Sequence, residues 1–254
     1  MSLQNKIAVV TGGSRGLGKD MVLSLAKNGL DIVFTYNSQK ESADAVIEQI
    51  EALGQKGIAL QLDVSDLSTF DVFTKRLTTE LLSHFNTDRF DFLINNAGIG
   101  IGSSFAETTE EDFDLLVNIH FKGVFFLTQK ALGLINDGGR IINLSTGLTR
   151  FTAPGYAAYG SVKGAINTLT QYMAKELGSR GITVNAVAPG PTATDFGGGH
   201  MKDDEKVHAM FAGNTALGRM GRPDDIGGIV ALLCSDGAGW VTAQRIEASG
   251  GINI

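Results

Sequence analysis

Short apolar runs alternate with helical stretches along almost the whole chain, and no other feature limits the possible folds as much. Ile7-Ala8-Val9-Val10, Ile32-Val33-Phe34-Thr35, residues 57–62, Phe92-Leu93-Ile94, Ile141-Ile142-Asn143-Leu144 and residues 182–187 read as strands. Most are continuously apolar rather than alternating, the pattern of strands covered on both faces. Helical patterns separate them: Met21 through Ala26, then residues 42–53, 67–85 and about 110–135, and one from Ala157 onward. Such a beat implies a parallel sheet with helices on both faces, in which ligands sit at the carboxyl ends of the strands. The expected class is α/β, doubly wound.

Composition narrows the function. The 254 residues hold only 4 prolines and neither a Ser/Gly-rich spacer nor a long charge run, so one domain spanning 1–254 is expected. A net charge of −6 leaves no basic face for nucleic acid. No apolar run approaches the ~18 residues of a membrane span, and no charged-then-apolar leader precedes the first strand, so a soluble, cytoplasmic protein is expected. The single cysteine, Cys234, follows Ala231-Leu232-Leu233 and reads as a core residue. Histidines at 84, 120, 200 and 208 show no ligand spacing, so no metal site is expected.

The strand ends carry the chemistry. Thr11-Gly12-Gly13-Ser14-Arg15-Gly16-Leu17-Gly18 lies between the first strand and a helix, where glycines admit a diphosphate and free N–H groups face it. Its Gly-x-x-x-Gly-x-Gly spacing is a variant of the common dinucleotide fingerprint. Gly13 to Lys19 also matches the start of a nucleoside-triphosphate loop, but Asp20 stands where a magnesium-binding hydroxyl is required. The second strand ends in Tyr36-Asn37-Ser38, with no acid to grip a ribose 2′-hydroxyl, while Arg15 and Lys40 suit a 2′-phosphate; NADP(H) is therefore favoured over NAD(H). Asp63-Val64 and Asn95-Asn96-Ala97-Gly98 close two further strands.

Asn118 stands in a helix with Leu115, Leu116, Phe121, Phe125 and Phe126 and reads as a buried amide needing partners. Ser145 and Thr146 leave a strand edge toward Tyr159 and Lys163, which at i, i+4 share one helical face. An ammonium there is expected to lower the phenol pKa from about 10. Residues 188–194 form another strand-end loop, and 195–215, with Gly197-Gly198-Gly199, reads as a substrate lid. Phe151, Tyr156, Phe196, Met201 and Phe211 suggest an apolar pocket.

Taken together and in this order, Thr11 to Gly18, Asn95 to Gly98, Asn118, Tyr159-Gly-Ser-Val-Lys163 and Pro189-Gly190 resemble the classical short-chain dehydrogenases/reductases over essentially the whole chain, most of all the 3-oxoacyl-carrier-protein reductases and glucose dehydrogenases of bacteria. The resemblance implies a Rossmann fold of about seven strands, the last within residues 244–251, and a homotetramer. It implies Tyr159 as general acid/base, Lys163 as the group that tunes it and holds the nicotinamide ribose, and Asn118 as anchor of a proton-relay water. Gly12, Ser14, Arg15, Gly16, Leu17 and Gly18 would surround the phosphates, Asn37 and Ser38 the 2′ position, Asp63 and Val64 the adenine, Asn95, Ala97 and Gly98 the ribose, and Pro189, Gly190, Thr192 and Thr194 the nicotinamide. The family's serine normally stands thirteen residues before the tyrosine; here that position is Thr146, with Ser145 beside it. Counting selects Thr146. The implied reaction is hydride transfer between nicotinamide and a small-molecule carbonyl or secondary alcohol; a non-catalytic dinucleotide sensor or scaffold is the other reading of the same fold.

Overall fold

The computed structural model describes residues 6–196 and 199–254, except for the side chains of residues 200 and 201. Its seven strands are β1 (Ile7–Val10), β2 (Asp31–Tyr36), β3 (Gly57–Gln61), β4 (Phe90–Asn95), β5 (Ile135–Leu144), β6 (Thr183–Pro189) and β7 (Arg245–Ala248). They form one sheet in the order β3-β2-β1-β4-β5-β6-β7, and every pairing is parallel. The order reverses between β1 and β4, which opens a crevice at their carboxyl ends.

Side-chain alternation sorts the core into two layers. Ala8, Val10, Ile32, Phe34, Ile142 and Leu144 face helices α1 (Gly16–Lys27), α2 (Lys40–Ala52) and α9 (Pro223–Cys234). Ile7, Val9, Val33, Leu93, Ile141 and Val184 face α3 (Phe70–Phe85), α5 (Gly123–Ala131) and α6 (Ala157–Leu177). A register shift between Phe90 and Phe92 puts these two rings on opposite faces despite their even spacing. α9 lies so close to α1 that a Cβ at Gly227 would collide with the Asp20 carboxylate. This is where Asp20, the residue that broke the nucleotide-triphosphate pattern, finds its place.

Two expectations need correction. The stretch 110–135 is not one helix: α4 (Glu110–Val117) passes into a π turn (Asn118–Lys122) and then α5, and Ile135 already belongs to β5. A π turn inserts an extra residue per turn and breaks a count based on 3.6. α9 was not anticipated at all, although Pro223 at its first position is a standard start signal, and Asp225 accepts from the Arg222 N–H at 2.7 Å. The proposed lid region contains two short helices, α7 (His200–Asp203) and α8 (Glu205–Gly213); Gly197 and Gly198 lie outside the described residues. No described helix is long and apolar enough to cross a membrane.

Candidate active site

The glycine turn after β1 is pinned from beneath. Gly12 N–H donates to Thr35 Oγ1 at 3.1 Å, Gly13 N–H to the Thr35 carbonyl at 2.8 Å, and the Asn96 amide donates to the carbonyls of Thr11 and Gly12 at 2.8 and 3.1 Å. Gly16 sits at φ +54°, a left-handed conformation that favours glycine, and a Cβ at Gly18 would collide with the Gly12 carbonyl. The turn thus leaves the start of α1 open, its N-cap being the exposed Arg15. Across the opening stands Thr194, whose Cβ lies 3.8 Å from where a Cβ on Gly16 would be. Ser14 and Leu17 are half-buried on the turn and helix start, and Thr192 and Thr194 are almost fully buried in the loop after β6. Gly190 follows Pro189 so closely against Ser249 that a side chain there would strike it, at 2.8 Å from Cα.

At the tip of β2, Asn37 and Ser38 are exposed, and so is Lys40, but Lys40 is paired with Asp44 at 2.6 Å. This exposed i,i+4 pair is weak, so Arg15 and Lys40 both remain exposed positive charges. Asp63, at the end of β3, is exposed and accepts from Ser65 N–H at 2.8 Å, with Val64 half-buried beside it. Ala97 and Gly98 line the mouth after β4. Asn95 departs from its expected use: its amide donates inward to Thr128 Oγ1 at 3.0 Å and Asn143 Oδ1 at 2.8 Å, and Asn143 in turn reaches Thr170 at 3.0 Å. The Asn95 amide nitrogen ties β4 to β5 and α5, and Asn143 carries the network on to α6.

The catalytic candidates converge at the end of β5. Tyr159 and Lys163 are 8% and 4% exposed, side by side on α6, and Lys163 Nζ donates to the Leu144 carbonyl at 2.7 Å. Thr146 and Ser145 turn in different directions, as successive residues of an extended segment must. The Thr146 side chain hydrogen-bonds that of Tyr159, whereas Ser145 Oγ donates to Asn167 Oδ1 at 2.6 Å. Burial raises the Tyr159 phenol above its ordinary value, and the Thr146 hydrogen bond only opposes this. The expected depression is thus reversed. Burial acts on both groups, and it pushes the neighbouring Lys163 amine down to about 7.

Asn118 is half-buried, and its side chain forms no hydrogen bond with a described residue. The residue of this turn that meets the tyrosine is His120. Its ring stands edge-on to Tyr159, with centroids 5.3 Å apart and planes at 87°, and Nε2 lies 2.8 Å from the Ile99 carbonyl oxygen. Sequence reading passed over His120 because it was tested only for metal spacing. The neighbouring apolar residues are in fact two stripes: Leu116 and Ile119 turn inward with His120, while Leu115, Phe125 and Phe126 stand 37–39% exposed. Around Tyr159, Phe196 and Tyr156 supply apolar walls at 6.0 and 6.5 Å between ring centroids. Phe151 instead packs against Gly147 and beneath Arg150, Phe211 is half-buried on α8, and the Met201 side chain lies outside the described residues.

The site also has a brace that no sequence pattern announced. Arg245 donates to the Thr146 carbonyl at 3.0 Å and to Thr149 Oγ1 at 2.8 Å, and Arg150 pairs with Glu247 at 2.6 Å while holding the Ile252 carbonyl at 2.6 Å. Arg150 first, with Ser249 and Arg245, holds the Glu247 carboxyl down to about 2.

A glycine cradle at the strand-order reversal, facing a buried Thr-Tyr-Lys cluster, is the arrangement of a nicotinamide oxidoreductase. The profile of the family described as Enoyl-(Acyl carrier protein) reductase matches residues 12–253. An uncharacterized oxidoreductase of Methylorubrum extorquens is 41% identical over 98% of both chains, and the 3-oxoacyl-[acyl-carrier-protein] reductase FabG of Staphylococcus aureus is 39% identical over 97% of this chain and 98% of its own. Among solved structures, the angucycline C-6 ketoreductase LanV with bound NADP superposes with a TM-score of 0.94 at 34% identity, over 99% of this chain and 97% of that one. The chain belongs to the short-chain dehydrogenase/reductase family and is an enzyme of that family.

Proposed function

We propose that the protein is an NADP(H)-dependent carbonyl reductase, acting in reverse on the corresponding secondary alcohol, with Tyr159 as general acid/base. The observation that carries this reading is the buried Thr146-Tyr159-Lys163 cluster at the mouth of β5, beside the glycine turn. The residues present fit a dinucleotide. The turn from Gly12 to Gly18 carries four glycines that would admit a diphosphate, the amides of Ser14 to Leu17 open a helix N-terminus, and Arg15 would offer its charge to a 2′-phosphate. Asp63 and Val64 would flank the adenine, Ala97 and Gly98 the ribose, and Pro189, Gly190, Thr192 and Thr194 the nicotinamide.

When bound, the nicotinamide supplies the hydride. As negative charge grows on the substrate oxygen, the Tyr159 O–H bond breaks and its proton passes to that oxygen, while Thr146 donates a second hydrogen bond. Thr146 is suited to this because it lies beside the Tyr159 phenol, with its oxygen held by Leu148 N–H at 3.3 Å. A phenol held above its usual pKa keeps its proton at neutral pH, the state that reduction requires. Lys163, fixed on Leu144, is the group from which the phenolate recovers a proton. Phe196 and Tyr156 against Tyr159 favour a carbonyl with an apolar substituent.

The test is oxidation of NADPH in the presence of a panel of aldehydes, ketones and β-keto thioesters. Turnover of an apolar carbonyl is the expected result; NADPH binding with no turnover across the panel would sink the reading and favour a sensor role. The reading includes a homotetramer, supported by the exposed apolar residues Phe113, Leu115, Phe125 and Phe126 of α4 and α5, each 37–44% exposed, and by Tyr172 on α6 at 65%. Light scattering that returns a monomer mass would remove that part.

A further inference from the structure

Arg245, Glu247 and Ser249 alternate along β7 and its exit with Ile246 and Ala248, which pack into the layer of α1 and α9. Period-two alternation gives the three polar residues one shared face, and that face meets the loop after β5. The Arg245 guanidinium uses all its nitrogens there. Nη2 donates to the Thr146 carbonyl at 3.0 Å, Nε to Thr149 Oγ1 at 2.8 Å and Nη1 to Glu247 Oε2 at 2.9 Å. Thr149 passes its contact on, since its hydroxyl donates to the same Thr146 carbonyl at 2.9 Å. Glu247 anchors the fork from behind: its oxygens also take Arg150 Nε and Nη2 at 2.8 and 2.6 Å and the Ser249 hydroxyl at 2.7 Å. Arg150 extends the network to the carbonyls of Ile252 and Asn253 at 2.6 and 3.1 Å.

The carbonyl so held belongs to the residue whose hydroxyl bonds Tyr159. Thr146 is extended at φ −158° and ψ 153°, and rotation about ψ moves the carbonyl against the side chain of the same residue. Ser145 N–H fixes the chain before it on the Val187 carbonyl at 2.7 Å, and Leu148 N–H fixes its Oγ1 at 3.3 Å. Holding the carbonyl completes the set. A donor aimed at developing charge works through its placement, and an error of about 1 Å can cost a hundredfold in rate. We infer that Arg245 is a positioning residue: anchored by Glu247, it holds the Thr146 main chain so that the Thr146 hydroxyl meets the substrate oxygen, and Arg150 makes residues 252 and 253 part of the same frame. The inference rests on the carbonyl-reductase reading, and Arg245 acts through Thr146 rather than on the substrate.

A double-mutant cycle separates aiming from general support of the fold. Arg245→Met should lower kcat about tenfold or more, while KM for the carbonyl and the NADPH dissociation constant stay within about threefold of wild type. In a Thr146→Ala background the same substitution should cost less than about twofold, because the hydroxyl it would misplace is gone. Arg245→Lys keeps one charged donor for the Thr146 carbonyl and should recover most of the lost turnover. Full activity in Arg245→Met, or losses that multiply in the double variant, would overturn the inference. Glu247→Gln runs the same cycle with the guanidinium kept, and serves if Arg245→Met does not fold. Its loss in kcat should be about threefold and should vanish beside Thr146→Ala; equal losses in both backgrounds would overturn the inference. A wild type that turns over no carbonyl counts against the functional reading instead, and a second measurement needs no turnover. In protein carrying carbon-13 in its threonine methyl groups, the Thr146 signal, assigned by its absence in Thr146→Ala, should shift in Arg245→Met and in Glu247→Gln. A signal unmoved in both would overturn the inference.

Discussion

Lys163 donates its Nζ to the Leu144 carbonyl at 2.7 Å from a position only 4% exposed, tying α6 to the last residue of β5, the strand that leads into Thr146. One hydrogen bond does not offset the loss of water, and burial sets the amine near 7 instead of 10.5. The folded chain therefore holds one proton fewer than the unfolded chain between those values. Stability should rise with pH above 7 and be lost as pH falls back through that window, with a slope of up to about 1.4 kcal/mol per pH unit. Denaturant unfolding from roughly pH 7 to 8, below the ordinary range of Cys234 and Tyr159, should show this slope in wild type and not in Lys163→Met. Equal slopes in the two proteins would mean that Lys163 stays charged when buried.

Thr146→Ser should remain active and Thr146→Ala should lose about 2–4 kcal/mol of transition-state stabilisation, as removal of an oxyanion donor typically does. Ser145→Ala should leave kcat near wild type, because its hydroxyl serves Asn167 and not Tyr159. Steady-state kinetics of the three variants is the check; a large loss in Ser145→Ala with Thr146→Ala near normal would assign the wrong hydroxyl.

Much of this was readable from residues alone, and the reasons are local. The run from Ile7 to Gly18 declares strand, turn and helix within twelve positions, and Tyr159 and Lys163 meet because any helix brings i and i+4 together. Counting thirteen residues back from Tyr159 picks Thr146, the hydroxyl that also faces the phenol. What escaped depends on tertiary context. The π turn that begins at Asn118 escapes a count based on 3.6, and the burial of His120 against Tyr159 does not show in the sequence. Asn95 sits beside a strand-end loop, yet its amide turns into the core because Thr128, Asn143 and Thr170, distant in sequence, wait there. The Tyr159 shift was misjudged because spacing reveals the nearby Lys163 but not how deeply both are buried.

Arg15→Ala should narrow the affinity gap between NADPH and NADH, since it removes an exposed positive charge at the start of α1. Fluorescence titration with both cofactors measures the gap. A wild type that binds the two equally, or prefers NADH, would contradict the assignment.

Glu247→Gln should destabilise the protein at neutral pH by about 1 kcal/mol through the partly exposed Arg150 pair. The sign follows from a folded value of about 2 against an ordinary 4.5: the contribution is complete above 4.5 and fades as pH falls toward 2. Melting temperatures of wild type and variant should therefore converge on acidification. A gap that stays constant would show that the carboxylate charge is not what holds the tail.

Tyr159→Phe tests the proposed chemistry most directly, because it removes one oxygen from a ring that stays packed between His120 and Phe196. Turnover of NADPH with the best carbonyl of the panel should fall by about a thousandfold or more, while the NADPH dissociation constant, measured by fluorescence on the same preparation, should change less than about threefold. Tyr156, seven residues from Lys163 and 39% exposed, offers no substitute phenol. Turnover of the Tyr159→Phe protein within about tenfold of wild type, with NADPH binding intact, would contradict the assignment of Tyr159 as the proton donor.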